Sequence, residues 1–142
     1  MKLLRRGEIV DMPWQRIAPG LPVDAPVVVP QLQLVRDGFE PPQTHWVVLV
    51  EPEDDPVELP EAALERDAIL IEFPVFTDGR GYSHARTLRQ ELGYRGELVA
   101  VGDVRRDQLE FMRLVGIDSY QCAPDADIAD LQHALTELRP DA

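Results

Sequence analysis

Cysteine is almost absent from this sequence. Cys122 is the only one in 142 residues, which excludes an internal disulfide, an internal redox dithiol and, in a monomer, a cysteine-ligated iron–sulfur cluster. No cluster of cysteine and histidine has the spacing of a zinc site. Since redox catalysis needs a flavin, a haem, a cluster or a dithiol, we expect a protein without a cofactor and without a metal.

Long apolar runs are also missing. The first residues, MKLLRRGEIVDMPW, are basic but lack the apolar stretch of roughly 7 to 15 residues that a signal peptide carries. No run approaches the length of a membrane span. These features predict a soluble, cytoplasmic protein that does not contact a membrane.

Basic side chains are few. Lys and Arg number 14 against 26 Asp and Glu, so the formal net charge is −12. This balance argues against nucleic-acid binding, in which neutralised phosphates supply most of the affinity. The acidity either keeps the protein soluble or steers it towards basic partners. The motifs GxGxxG, GxxxxGK[ST] and GxSxG are absent too, so nucleotide, flavin and serine-hydrolase functions lack their usual support.

Proline is plentiful and unevenly placed, and it divides the chain into two parts. Most of the 13 prolines lie in the first 60 residues, and the 44% hydrophobic content suits one domain over 1–142. We predict a proline-rich N-terminal extension over 1–44, with a hairpin around Arg6-Gly7 and an arm holding one short helix at 30–37. The extension packs on an α/β core over 45–142.

Apolar runs and helical patterns alternate through the core. The predicted fold class is α/β, with a small, mainly parallel sheet of about four strands and crossover helices. The sheet is either open or half-barrel-like, with all helices outside a curved sheet. The predicted strands are 46–50, 68–73, 98–102 and 119–122, and the predicted helices are 83–92, 107–115 and 127–138.

The stretch FTDGRGYSHAR, residues 76–86, follows one predicted strand, and GDVRRDQ, residues 102–108, follows the next. Ligands of open α/β sheets collect at the carboxyl ends of strands, where glycines free backbone N–H groups and arginines grip oxyanions. Ser83 is a candidate N-cap that would turn a helix terminus towards the ligand. The candidate ligand-binding residues, for a small oxyanion or a partner's carboxylate, are Asp78, Gly79, Arg80, Gly81, Ser83, Asp103, Arg106 and Gln108.

A purely structural interpretation of the same stretch is equally open. Asp78-Gly79 is a common turn pair, Gly81 would supply a positive φ, and Arg80 would pair with Asp78 or Asp103. Asp107 would cap the helix that follows it. The acidic loop EPEDDPVE at 51–58 lacks the ligand order of a calcium loop, so we expect it to be solvated.

Other candidates in the core favour ordinary structural roles. We expect Glu72 to be paired or at an edge, and His84, His45 and His133 to face solvent. We predict that Cys122 is a small buried residue at the end of a strand, because the chain has no second cysteine for redox exchange.

Residues 73–120, FPVFTDGRGYSHARTLRQELGYRGELVAVGDVRRDQLEFMRLVGIDSYQ, resemble the central segment of the bacterial proteins grouped as domain of unknown function 934. The shared motifs are TDGRGYS, AR, GEL, AVGDV and RDQL, and LLRRGEIVDMPW and VVLVEPEDDPVEL fit more loosely in the same order. Two departures stand out. Val75 replaces a lysine, and LVGIDSY replaces a stretch that usually holds a cysteine and phenylalanines.

The resemblance implies a pathway. Family members are labelled oxidoreductases of sulfite reduction, because their genes accompany those of sirohaem sulfite or nitrite reductases. A single cysteine does not supply what such a catalyst or electron donor needs. We therefore expect a cofactor-free accessory protein of assimilatory sulfite or nitrite reduction, with a sirohaem reductase or its electron donor as partner. The alternatives are a small oxidoreductase or other enzyme using Asp78, Arg80, Asp103 and Gln108, and a scaffold without a ligand.

Overall fold

The computed structural model describes residues 2–11, 15–16, 28–29, 47–75, 78–121 and 127–137, with backbone alone at 15–16 and 28–29. The strands are β1 (Lys2–Arg5), β2 (Glu8–Asp11), β3 (Gln15–Arg16), β4 (Val28–Val29), β5 (Val48–Val50), β6 (Ala68–Phe73), β7 (Glu97–Gly102) and β8 (Ser119–Gln121). The α-helices are α1 (Glu61–Leu64), α2 (Arg80–Arg86), α3 (Leu109–Leu114) and α4 (Ile128–Glu137). Short 3₁₀ turns occupy Pro56–Glu58 and Arg106–Gln108.

Six of these strands form one mixed sheet in the order β2-β1-β8-β7-β6-β5, while β3 and β4 pair separately. β5, β6, β7 and β8 run parallel to one another, as the alternation of apolar runs and helices predicts. The predicted size of about four strands is wrong, because the N-terminal hairpin extends the same sheet. β1 pairs antiparallel with β8, with Leu4 opposite Tyr120.

The hairpin between β1 and β2 turns at Arg6 and Gly7, as predicted. Their φ angles of 49° and 93° are those of a two-residue hairpin turn with both central residues left-handed. Leu3 and Leu4 are both fully buried, on opposite faces of the sheet. β1 therefore covers the otherwise open edge of β8 and continues both apolar layers, which is why the hairpin belongs to the sheet rather than to a separate arm.

All four α-helices pack on one face of the sheet. Because successive parallel strands are neighbours, right-handed crossovers place every connecting helix on the same side. Ala63 of α1, Leu88, Met112 of α3 and Leu135 of α4 share one buried cluster with the sheet residue Ile71. This placement is the one the half-barrel alternative describes. The opposite face is also buried, through Leu3, Val47, Leu49, Ala68, Leu70, Val99 and Val101.

Several helix boundaries differ from the sequence prediction. The predicted helix 83–92 begins three residues earlier, at Arg80, and continues beyond α2 as a π-helix over Thr87–Glu91. The predicted helix 107–115 has a 3₁₀ first turn and is α-helical only over Leu109–Leu114. The four-residue α1 was missed, because it is too short to show a helical period. The predicted helix at 30–37, Trp46, Cys122 and Leu138 lie outside the described residues.

Candidate functional site

The carboxyl ends of β6 and β7 lie side by side. Phe73, the last residue of β6, is opposite Gly102, the last residue of β7, and the Asp103 N–H donates to the Phe73 carbonyl at 2.7 Å. The loops that follow these strands are therefore neighbours, as the parallel sheet predicts. We call the surface formed by residues 51–55, 78–80 and 103–105 the carboxyl edge.

Asp78 and Arg80 form an ion pair on this edge. The Arg80 Nε and Nη2 atoms donate to the two Asp78 carboxylate oxygens at 3.0 and 2.7 Å, and the Arg80 backbone N–H donates to Asp78 Oδ1 at 3.1 Å. These bonds lower the pKa of Asp78 to about 2, first through the Arg80 side chain and then through its backbone N–H. Asp78 stays ionised above that pH and holds a guanidinium whose side chain is 57% exposed.

A second aspartate–arginine pair follows β7. Arg105 Nε donates to Asp103 Oδ1 at 3.1 Å, and the Arg105 side chain is 50% exposed. Both pairs have the aspartate two residues before the arginine. The carboxyl edge therefore presents two guanidiniums, each held by its own carboxylate and each open to solvent. The sequence prediction did not include Arg105 among the binding residues, although the repeated Asp-x-Arg spacing at two strand ends was visible in the sequence.

Arg106 and Gln108 turn away from this edge. Arg106 pairs with Asp130 at 2.7 Å and with Glu137 at 3.4 Å, and so ties the start of α3 to α4. Gln108 lines a cavity of about 460 Å³ between α2 and α3. Of the predicted binding residues, the structure brings Asp78, Gly79, Arg80 and Asp103 to adjoining strand ends.

The structure corrects two conformational predictions at the start of α2, the positive φ of Gly81 and the N-cap position of Ser83. Gly81 does not have a positive φ. It lies in the first turn of α2, where a Cβ atom would come within 2.5 Å of the Phe73 ring. Ser83 is an exposed residue inside α2 rather than its N-cap, because the helix begins earlier and is capped by Gly79. Asp107 likewise lies within a 3₁₀ turn instead of capping α3.

The acidic loop and His84 join the carboxyl edge from the other side. His84 is half-buried rather than facing solvent, and its Nε2 lies 3.0 Å from the Pro52 carbonyl and 3.2 Å from that of Glu51. Within the loop, Asp54 accepts the Glu51 N–H at 2.7 Å and Asp55 accepts the Val57 N–H at 3.1 Å. These two carboxylates cap backbone groups. In the described ranges, no group of three or more His, Cys, Asp or Glu side chains is placed to hold a metal ion.

The amino ends of β7 and β8, opposite the carboxyl edge, hold a buried ion pair that the sequence prediction missed. Glu97, which is 4% exposed, accepts bonds from Arg5 at 2.8 to 3.2 Å and from the Ser119 hydroxyl. Burial raises the pKa of Glu97, but the bonds from Arg5 and Ser119 outweigh it and leave the pKa below its ordinary value of 4.5. Glu97 therefore joins β1, β7 and β8 through one carboxylate.

Replacing Glu97 with glutamine is expected to lower the free energy of unfolding by about 1 to 3 kcal/mol near neutral pH, because a charged hydrogen bond is lost. The folded-state pKa of Glu97 is lowered, so its contribution is complete above the unfolded value and is lost as the pH falls through the folded value. The gap between wild type and Glu97→Gln should therefore shrink below pH 4.5. Urea unfolding across this range measures it, and a gap independent of pH would contradict the assignment.

Comparison with known proteins bears on the family. A family model described as "Bacterial protein of unknown function (DUF934)" matches residues 47–140, which is more than half of the chain. The chain belongs to this family. The match runs from the start of β5 past the end of α4 and includes the whole carboxyl edge. No curated protein matches the chain. No solved structure matches it either. Within the described residues, no helix has the length and apolar character needed to cross a membrane.

Proposed function

We propose that the chain is a cofactor-free accessory protein of assimilatory sulfite or nitrite reduction, and that it binds its partner through the carboxyl edge. The observation that carries the binding role is the repeated Asp-x-Arg pair at the ends of β6 and β7. Each guanidinium is oriented from one side by an aspartate while half or more of its side chain stays exposed. Such a group is preorganised to take a carboxylate of another molecule.

The charge around the edge favours a protein partner. Glu53 acts on Arg80 electrostatically, so acidic and basic groups alternate over a short distance. A partner whose charges alternate in the complementary way binds in one orientation, and proteins without that pattern are excluded. The position also fits, because ligands of parallel sheets collect at the carboxyl ends of the strands.

The pathway rests on the family resemblance. Genes of this family tend to accompany those of sirohaem sulfite or nitrite reductases, so a sirohaem reductase or its electron donor is the proposed partner. The single cysteine of the chain supports an accessory role over electron transfer through a dithiol or cluster of its own.

The test is direct binding of the purified chain to a purified sirohaem sulfite reductase from the same bacterium, measured by titration calorimetry. Replacing both Arg80 and Arg105 with alanine should weaken binding by at least about tenfold, because each removes a charge-assisted hydrogen bond. The melting temperature should stay nearly unchanged, since exposed ion pairs add little stability.

Arg86→Ala is the matched control for this experiment. Arg86 is an exposed arginine of α2 that lines the cavity between α2 and α3 instead of the carboxyl edge. Its loss should leave reductase binding intact. A large drop in melting temperature for Arg80→Ala, with binding retained, would show that TDGR is a structural turn and that the binding surface lies elsewhere.

A further inference from the structure

A groove that the proposed function does not use lies opposite the carboxyl edge, near the amino ends of β7 and β8. Two cavities of about 370 and 610 Å³ lie there, and Arg6, Gly116 and Asp118 line both of them. Because they share these residues, the cavities adjoin at the hairpin turn and at the start of β8. We call this combined space the amino groove.

Arginines outnumber acidic residues among the described residues that line the amino groove. Arg6, Arg89, Arg95 and Arg113 line it, and Asp118 is the one acidic residue among the described lining residues. Arg89 already neutralises Asp118 through a bond of 2.8 Å. Within the described part of the chain, no ion pair forms at the other three guanidiniums. Glu97 acts electrostatically on Arg6, and this excess of arginines around one groove contrasts with the net charge of −12 of the whole chain.

The backbone at Arg6 is strained. Its φ of 49° makes it the one residue other than glycine with a positive φ among those described. Asn, Asp and Gly are the usual residues at this position of a hairpin turn, so arginine is an unfavourable choice for the turn itself. Gln132 of α4 holds the turn by donating to the Gly7 carbonyl at 2.9 Å. Strained residues of this kind concentrate at ligand sites.

Arg113 provides a second, independent sign of a ligand. Its Nε atom is buried and has no hydrogen-bond partner within the described residues. Buried donors in folded proteins nearly always have a partner, so the Arg113 side chain has bonding capacity that no described residue uses. Arg113 lines the smaller cavity together with Arg6.

We propose that the amino groove binds a small molecule carrying two or more phosphate or carboxylate groups. Guanidinium groups match both kinds of oxyanion through paired hydrogen bonds. The two cavities have the volumes of small-molecule sites and are larger than a single tetrahedral oxyanion needs. Arg6, Arg95 and Arg113 make the contacts, and Arg89 neutralises Asp118, which lines the groove beside them. The site lies on the other edge from the partner surface and does not depend on it.

The test is titration of the full chain with inorganic pyrophosphate and, separately, with citrate, followed by calorimetry and amide NMR shifts. We expect saturable binding of at least one of them, with shifts at residues 6–7, 93–95 and 113–118, and the tighter of the two identifies the ligand class. Arg6→Asn and Arg95→Gln should each weaken binding about tenfold. Arg6→Asn should keep or raise the melting temperature, because asparagine adopts the left-handed turn more readily.

Arg86→Gln, which removes an arginine outside the groove, should leave binding unchanged. Equal weakening by this control would show diffuse attraction instead of a site and would overturn the proposal. Failure of both probes to saturate would do the same. So would tighter binding of an acidic peptide of similar charge, since it would assign the groove to a protein.

Discussion

Replacing Arg89 with methionine is expected to lower the free energy of unfolding by about 3 kcal/mol, because one side chain bonds to four residues in two separate loops. The Arg89 guanidinium donates to the carbonyls of Gly116, Tyr94 and Gly96 and to the Asp118 carboxylate, all at 2.8 to 3.1 Å. Asp118 in turn accepts the Leu98 N–H at 3.0 Å. Loss of the guanidinium removes this donor from the three carbonyls and leaves the partly buried Asp118 carboxylate without its opposite charge.

Urea unfolding of Arg89→Met, Arg89→Lys and Arg95→Met measures this effect. Lysine should recover less than half of the loss, since an ammonium group cannot reproduce the planar fork that spans Gly116, Tyr94 and Gly96. Arg95 is exposed and has no hydrogen bond within the described residues, so Arg95→Met should change stability by no more than about 0.5 kcal/mol. Equal losses for Arg89→Met and Arg95→Met would contradict the central bonding role of Arg89.

Replacing Gly102 with alanine is expected to cost about 3 kcal/mol or more. Gly102 has a φ of 105°, which side chains rarely adopt, and a Cβ atom there would come within 2.5 Å of the Phe73 carbonyl oxygen. Both penalties act together, because the obstructing atom belongs to the backbone of the neighbouring strand and cannot rotate away. The clash is relieved only if β6 and β7 separate at the carboxyl edge.

Gly79→Ala is the matched control, since no atom lies within 4 Å of a Cβ built at Gly79 and its φ is −86°. Its stability should change by less than about 0.5 kcal/mol, or rise slightly through a less flexible unfolded chain. Thermal unfolding of the two variants compares them. Gly102→Ala should also weaken partner binding, because it displaces the adjacent Asp103. Similar melting temperatures for both variants would refute the steric account.

The parallel core was predictable because its signals are local. The runs AILIEF and LVAVG are continuous and apolar, and each is followed by a helical stripe ending in glycine, so strand, crossover and strand can be read in order. The addition of β1 and β2 to the same six-stranded sheet was not predictable in the same way. KLLR is only four residues long, and its pairing with β8 joins segments more than a hundred residues apart, which no local pattern encodes.

Part of the carboxyl edge could likewise be predicted, through the rule that ligands collect at the carboxyl ends of parallel strands. That rule predicts where the loops lie, but it does not predict which partners their side chains bond to. Arg105 and Arg106 are adjacent in sequence, yet the first pairs with Asp103 and the second reaches Asp130 and Glu137 on α4. The difference depends on where α4 packs, which is a tertiary contact. For the same reason, no local pattern indicates that Glu97 and Arg89 bond the strands and loops opposite the carboxyl edge.

We propose the carboxyl edge as the partner surface, and amide NMR of the labelled chain titrated with unlabelled sirohaem sulfite reductase tests this most directly. We predict that signals from residues 51–55, 78–80 and 103–105 broaden first, while those around Arg6, Arg95 and Arg113 remain unaffected. Broadening confined to the amino groove, or an unchanged spectrum at saturating reductase, would contradict the account.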